Sequence, residues 1–140
     1  MDAKIKRWMH KSFYYYIGAG AATGIAGILH LIYASNGISR GLSPFTIFFI
    51  VAGVTQLFWI MPIVKHWGRM WYYVAIGGTM VLMILYIMTR VSNPITNGRA
   101  LTINEIGIAI EIFQAAFIII TGLIIVKQRT VHPSQREQLR

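Results

Sequence analysis

Residues 105–127 read EIGIAIEIFQAAFIIITGLIIVK, and that run decides what kind of molecule this is. It is bounded by Glu105 and Lys127, is apolar almost throughout, and has the ~20-residue length that carries an α-helix across about 30 Å of hydrocarbon. Three comparable runs precede it, between Lys11 and Arg40, between Arg40 and Lys65, and between Arg69 and Arg90. Across all four intervals the only formal charge is Glu111. The spans are expected at about 13–33, 44–64, 70–89 and 103–126. Connections as short as Lys65 to Arg69 force neighbouring helices to run antiparallel. The predicted architecture is an all-α integral membrane four-helix bundle, up-down-up-down.

Composition agrees. Charged residues make up 12% of the chain, against about 25% in soluble domains, and the mean hydropathy is +0.58. The net charge of +9 does not point to nucleic acid, because the basic residues stand at helix ends instead of along one stripe. Alternating flanks put Lys4, Lys6, Arg7, Lys11, Lys65, Arg69, Lys127, Arg129, Arg136 and Arg140 on one side and Arg40, Arg90 and Arg99 on the other. The positive-inside rule then places both termini in the cytoplasm, with residues 1–12 a basic N-terminus and 127–140 a polar tail. The first run is longer than a signal-peptide core and lacks a small-x-small cleavage site, so it is expected to be retained. Pro133 is expected to stop the fourth helix from continuing into the tail. No disulfide or thiolate chemistry is available, since cysteine is absent.

Each span carries a packing signal. In the first, Ala19, Thr23, Ala26 and His30 share a face flanked by Gly20, Gly24 and Gly27, which lets a neighbour approach closely. The second opens on Ser43-Pro44, a cap followed by a first-turn proline, and ends at Pro62. The third begins with aromatic residues and contains Gly77-Gly78, expected at a close helix contact. Lys65, Trp67, Arg69 and Trp71 lie in KHWGRMWYY, residues 65–73, a mixture that suits an interfacial anchor and is compatible with anionic headgroups.

Four residues could carry chemistry. An ionised Glu111 in hydrocarbon costs at least ~2.5 kcal/mol, so it must face the bundle, a partner or water. It lies roughly 10 Å below the outer end of its helix at 1.5 Å per residue. Asn104, Gly107, Glu111, Ala115, Ile118 and Gly122 form a small, polar stripe on that helix, with Gln114 at its edge. His30 and Arg90 reach the same leaflet, and with Glu105 and Glu111 they are expected to form an outer polar cluster, joined by Asn93, Asn97 and Arg99. Two roles fit it: a network that fixes helix register, or handling of a metal, proton or substrate. Gln56 at mid-depth is expected to hydrogen-bond Gln114 between helices. No metal or haem site is expected: no ligand pair has tight spacing, His10, His66 and His132 lie at the other margin, and His30 and His66 sit near opposite ends of their helices. P-loop, GxSxG, HExxH and dinucleotide signatures are missing, so no cofactor and no activity of its own are expected.

The landmarks His30-Leu31, VAGVTQLFWIMP (51–62), WGRMWYY (67–73), TRVSNPITNGR (89–99) and EIGIAIEIFQ (105–114) resemble those of small four-helix membrane proteins of archaea and actinobacteria. In size and basic tails the chain also looks like an accessory subunit of an archaeal copper membrane monooxygenase of the ammonia monooxygenase type. That resemblance implies other integral membrane subunits as partners. It carries no copper ligand over, because the His and Asp clusters of the metal-binding subunits are not in this chain. The reading that follows is a non-catalytic subunit of a larger membrane enzyme, and its rival is a small transporter or proton-linked carrier working through the outer cluster.

Overall fold

The computed structural model describes residues 3–38, 41–92, 94 and 98–137, and the side chains of those between 13 and 128. Five helical segments make four spans: α1 (Ala3–Ile38), α2 (Pro44–Phe58), α3 (Ile60–Val64), α4 (Arg69–Thr89) and α5 (Glu105–Glu137). Phe13–Ile38, Pro44–Val64, Arg69–Thr89 and Glu105–Gln128 are each long and apolar enough to cross a membrane, and no strand occurs among the described residues. The chain is a multi-pass, four-helix membrane protein.

Local chemistry explains the helix ends. Ser43 has extended backbone and its Oγ accepts from the Thr46 N–H at 3.2 Å, with Pro44 in the first turn where its missing N–H costs nothing. Asn104 does the same for α5, accepting from the Gly107 N–H at 2.6 Å. The turn into α4 needs Gly68, whose φ is 111°.

Two expectations about helix length are corrected. The second span is not one continuous helix: it breaks at Trp59, because Pro62 has no N–H to give the Phe58 carbonyl one turn back. Pro133 does not end the last helix either, since α5 runs on to Glu137. A long helix loses one hydrogen bond at a proline, a cost of about 3 kcal/mol, without having to stop there. The α1 helix likewise extends back through the basic segment to Ala3.

The α1 helix is the centre of the bundle, packed on α2, α3 and α5, while α4 docks chiefly on α5. The tightest seam joins α1 to α2. A Cβ on Gly27 would lie 2.9 Å from the Gly53 carbonyl oxygen, and one on Gly53 would lie 2.8 Å from Leu31 and 3.0 Å from the Gly27 oxygen. Backbone meets backbone there, which only glycine permits. Toward the basic end the core is apolar: Ala19, Ala22, Trp59, Ile63, Tyr72, Ala75, Phe117, Ile124 and Ile125 form one buried cluster.

Candidate functional site: a polar seam along the fourth span

The buried face of α5 is not uniformly apolar. Asn104, Glu111, Gln114, Thr121 and Gln128 follow one another along one side, and each level meets a different set of groups.

At the end away from the basic flanks, Asn104 donates to the Tyr33 hydroxyl at 3.1 Å and so ties α5 to α1. Arg90 donates to the Thr102 carbonyl and lies over the Tyr86 ring, 4.1 Å from its centre. Its Nε is buried without a hydrogen-bond partner, as is the Tyr86 hydroxyl. That phenol edge lies against Gly107: a Cβ there would be 2.8 Å from both Cε2 and the hydroxyl oxygen. Glu111, one turn along from Gly107, is half-buried.

The expected four-residue outer cluster is therefore only partly assembled. Arg90 and Glu111 belong to the same end of the seam. His30 does not join them: it is 3% exposed, its Nδ1 lies 2.8 Å from the Ala26 carbonyl of its own helix, and its ring faces Phe49 across the α1–α2 seam. The α1 face that carries His30 points at α2, so equal depth does not make it a neighbour of α5. Glu105 is exposed as the first residue of α5, where a carboxylate suits the helix dipole. Arg99 is exposed, and Asn93, Asn97 and Arg40 lie outside the described residues. Tyr86, which the sequence reading passed over, takes the place expected for His30.

The middle level is a layer of four fully buried polar side chains, one from each span. Thr23 Oγ1 lies 2.7 Å from the Gln56 backbone oxygen and 2.6 Å from its Oε1, and Gln56 Nε2 reaches Thr79 Oγ1 at 3.4 Å. Contacts at both ends of the helices set the register of the fourth member. Tyr33 meets Asn104 and Gly18 meets Ile120 between α1 and α5, while Tyr86 meets Gly107 and Arg69 meets Gln128 between α4 and α5. Thr23 then stands level with Gln114 and Ala115, and Thr79 level with Ala115 and Ala116. The expected Gln56–Gln114 bond is nevertheless not formed. Gln56 is taken by Thr23 and Thr79, and neither amide atom of Gln114 has a partner among the described residues, although the residue is 0% exposed. A shared depth predicted the pairing, but rotation about the helix axis decides which way each amide points.

Beyond Phe117, which fills the next turn, Thr121 is also fully buried with its hydroxyl unpartnered. At the basic end Gln128 Nε2 donates to Tyr16 at 2.9 Å, and Arg69 donates to the Gln128 carbonyl at 2.6 Å and its Oε1 at 3.4 Å. Tyr72 is buried beside Tyr16, and His66 packs edge-on against the Tyr16 ring. Of the expected interfacial anchors, Lys65, Trp67 and Trp71 are exposed, and the two indoles contact each other at 5.2 Å. Arg69 instead turns inward as a tie between α4 and α5. The spacing of Gly107, Gln114, Thr121 and Gln128, seven residues apart, was the signal for this seam.

The packing glycines divide as sharply. A Cβ on Gly20 would lie 3.4 Å from Val64 and one on Gly24 3.2 Å from Ile60, and Gly27 is at the backbone crossing. A Cβ on Gly78 would lie 3.5 Å from the Trp59 indole of the second span, whereas one on Gly77 would have no described atom of another element within 4 Å, so of the expected Gly77-Gly78 contact only the Gly78 half is made. Gly53, opposite Gly27, was not singled out from the sequence. Among the described residues no group of His, Cys, Asp or Glu is placed to hold a metal ion. No family model, no curated protein and no solved structure matches the chain.

Proposed function

We propose that this chain is a non-catalytic subunit of a larger membrane enzyme, packing through α4 against other integral membrane subunits, with both termini in the cytoplasm. The observation that carries the reading is Gly77. It lies in the middle of a face of α4 made of Met70, Val74, Val81 and Ile84, all exposed, and no atom lies within 4 Å of where its side chain would be. Glycine is about 1 kcal/mol worse than alanine inside a helix and gives lipid nothing to pack on. Helices in hydrocarbon associate where small residues let backbones approach, so an exposed mid-span glycine suits a helix supplied by another chain. The thin attachment of α4 to the rest of the bundle supports the same reading: 17% of its most apolar window is buried, against 50% for α1. The ten-to-three division of Lys and Arg supports cytoplasmic termini.

Native electrophoresis of gently solubilised membranes tests the assembly. The chain is expected in a species much larger than itself, and Gly77→Leu is expected to release it. Migration alone or as a small homo-oligomer would overturn the reading. Among complexes, the sequence resemblance makes a copper membrane monooxygenase of the ammonia monooxygenase type the first to look for among co-purifying proteins.

A further inference from the structure

We propose that the core between α1, α4 and α5 holds a file of water molecules running from Arg90 and Glu111 past the Gln114 layer, and that the chain passes protons along it, with Phe117 as the constriction. The proposal is independent of the subunit reading.

Gln114 carries most of the argument. Its amide has two donors and an acceptor, and in a membrane core each group left unsatisfied costs several kcal/mol. None of the described residues supplies a partner, and because Gln114 is 0% exposed no side chain of another protein reaches it. What satisfies it must be small and polar, and water fits. A buried water needs two to four polar partners. Besides the Gln114 amide, the layer offers Thr23, whose single proton serves one of two oxygens in reach, and Thr79, held by Gln56 only at 3.4 Å.

The polar groups continue in both directions. Toward one end Glu111 is three residues from Gln114 on the same side of α5, and the Arg90 Nε–H and Tyr86 O–H, both buried, have no partners. Toward the other end the Thr121 hydroxyl is unpartnered, followed by Tyr72, Tyr16 and Gln128. Between Gln114 and Thr121 the same face is closed by fully buried Phe117, within the apolar cluster that contains Trp59 and Ala75. Polar segments on either side of one apolar turn are the arrangement in which wetting of the turn controls passage.

The transfer balances without a redox partner. A proton from the aqueous phase binds the Glu111 carboxylate and is handed to the first water of the file, hydrogen bonds shift along it, and a proton leaves at the basic end. Gln114 is a positioning residue: it orients water and does not itself ionise.

The test places the full-length chain in liposomes holding a pH-sensitive dye, with a potassium diffusion potential set by valinomycin. Proton entry is expected to exceed that of protein-free liposomes, to rise severalfold in Phe117→Ala, and to fall to the protein-free rate in Glu111→Gln and Gln114→Leu. Ile112→Ala, on the exposed face of α5, should leave it unchanged. Entry at the protein-free rate in both the native chain and Phe117→Ala would overturn the proposal, as would equal entry in the native chain and Glu111→Gln. Should Gln114→Leu fail to fold, NMR of the native chain in bilayers decides the hydration directly: magnetisation transfer from water to the Gln114 side-chain amide is expected, and its absence would overturn the water file.

Discussion

The α1 and α4 helices are both apolar spans with glycine near mid-membrane, yet the first is the hub of the bundle and the other hangs on its side. On α1 the small residues share a face with Thr23 and His30, and that face is used up inside the chain: Gly27 meets Gly53, Thr23 meets Gln56, and His30 satisfies itself on Ala26. On α4 only Tyr72, Ala75 and Thr79 are buried, and Gly77 looks outward. A glycine in a membrane helix thus has no fixed meaning. Its role depends on whether the opposing backbone belongs to the same chain.

That contrast can be broken or sharpened by substitution. The largest effect is expected from Gly27→Leu, which drives a side chain into the Gly53 carbonyl and Leu57 and should cost about 3 kcal/mol or remove the folded chain altogether. Thermal unfolding in detergent at the native midpoint would mean that the α1–α2 seam yields freely. Next comes Gln56→Leu, which removes the amide shared by Thr23 and Thr79 but leaves the Gln56 backbone oxygen to accept from Thr23. A loss of about 1 kcal/mol is expected, because each threonine hydroxyl can turn back to its own helix. Denaturant titration measures it, and a larger loss would show that the layer acts as one cooperative unit.

Asn104→Ala removes the cap of α5 and its tie to Tyr33, for about 1 kcal/mol. Hydrogen exchange should speed at the Gly107 amide and leave the Thr121 turn unaffected. Gly77→Leu should leave the stability of the isolated chain unchanged or raise it by up to ~1 kcal/mol through helix propensity, while abolishing the larger assembly. A destabilised isolated chain would erase the difference between the two helices. The smallest effect belongs to Ile25→Leu on the outward face of α1, expected within ~0.5 kcal/mol, where folded yields from the two chains can be compared directly.

Charge gaps and apolar runs located all four spans, and Ser43-Pro44 located the start of the second, because both depend on residues adjacent in sequence. The break at Trp59, one turn before Pro62, and the passage of α5 through Pro133 were not legible, because what a proline does depends on how much helix surrounds it. The candidate site was legible as a list of intramembrane polar residues, since any of them is costly in hydrocarbon. Its pairings were not. His30 and Glu111 share a depth and lie on different seams, and Gln56 and Gln114 share a layer and do not bond. Tyr86 and Gly53 gained their roles only from what stands opposite them.

The sequence by itself determined that the chain crosses a membrane four times, that its helices alternate in direction and that its basic residues gather at one end. Partition into hydrocarbon is a sum over neighbouring residues and needs no partner. Tertiary structure alone decided that α1 is central, that Thr23, Gln56 and Thr79 bond across three helices, and that Gln114 and Gly77 are left without a partner among the described residues. Those outcomes turn on helix rotation and crossing. Each residue turns the helix by about 100°, so a shift of one position replaces the entire face presented to a neighbour.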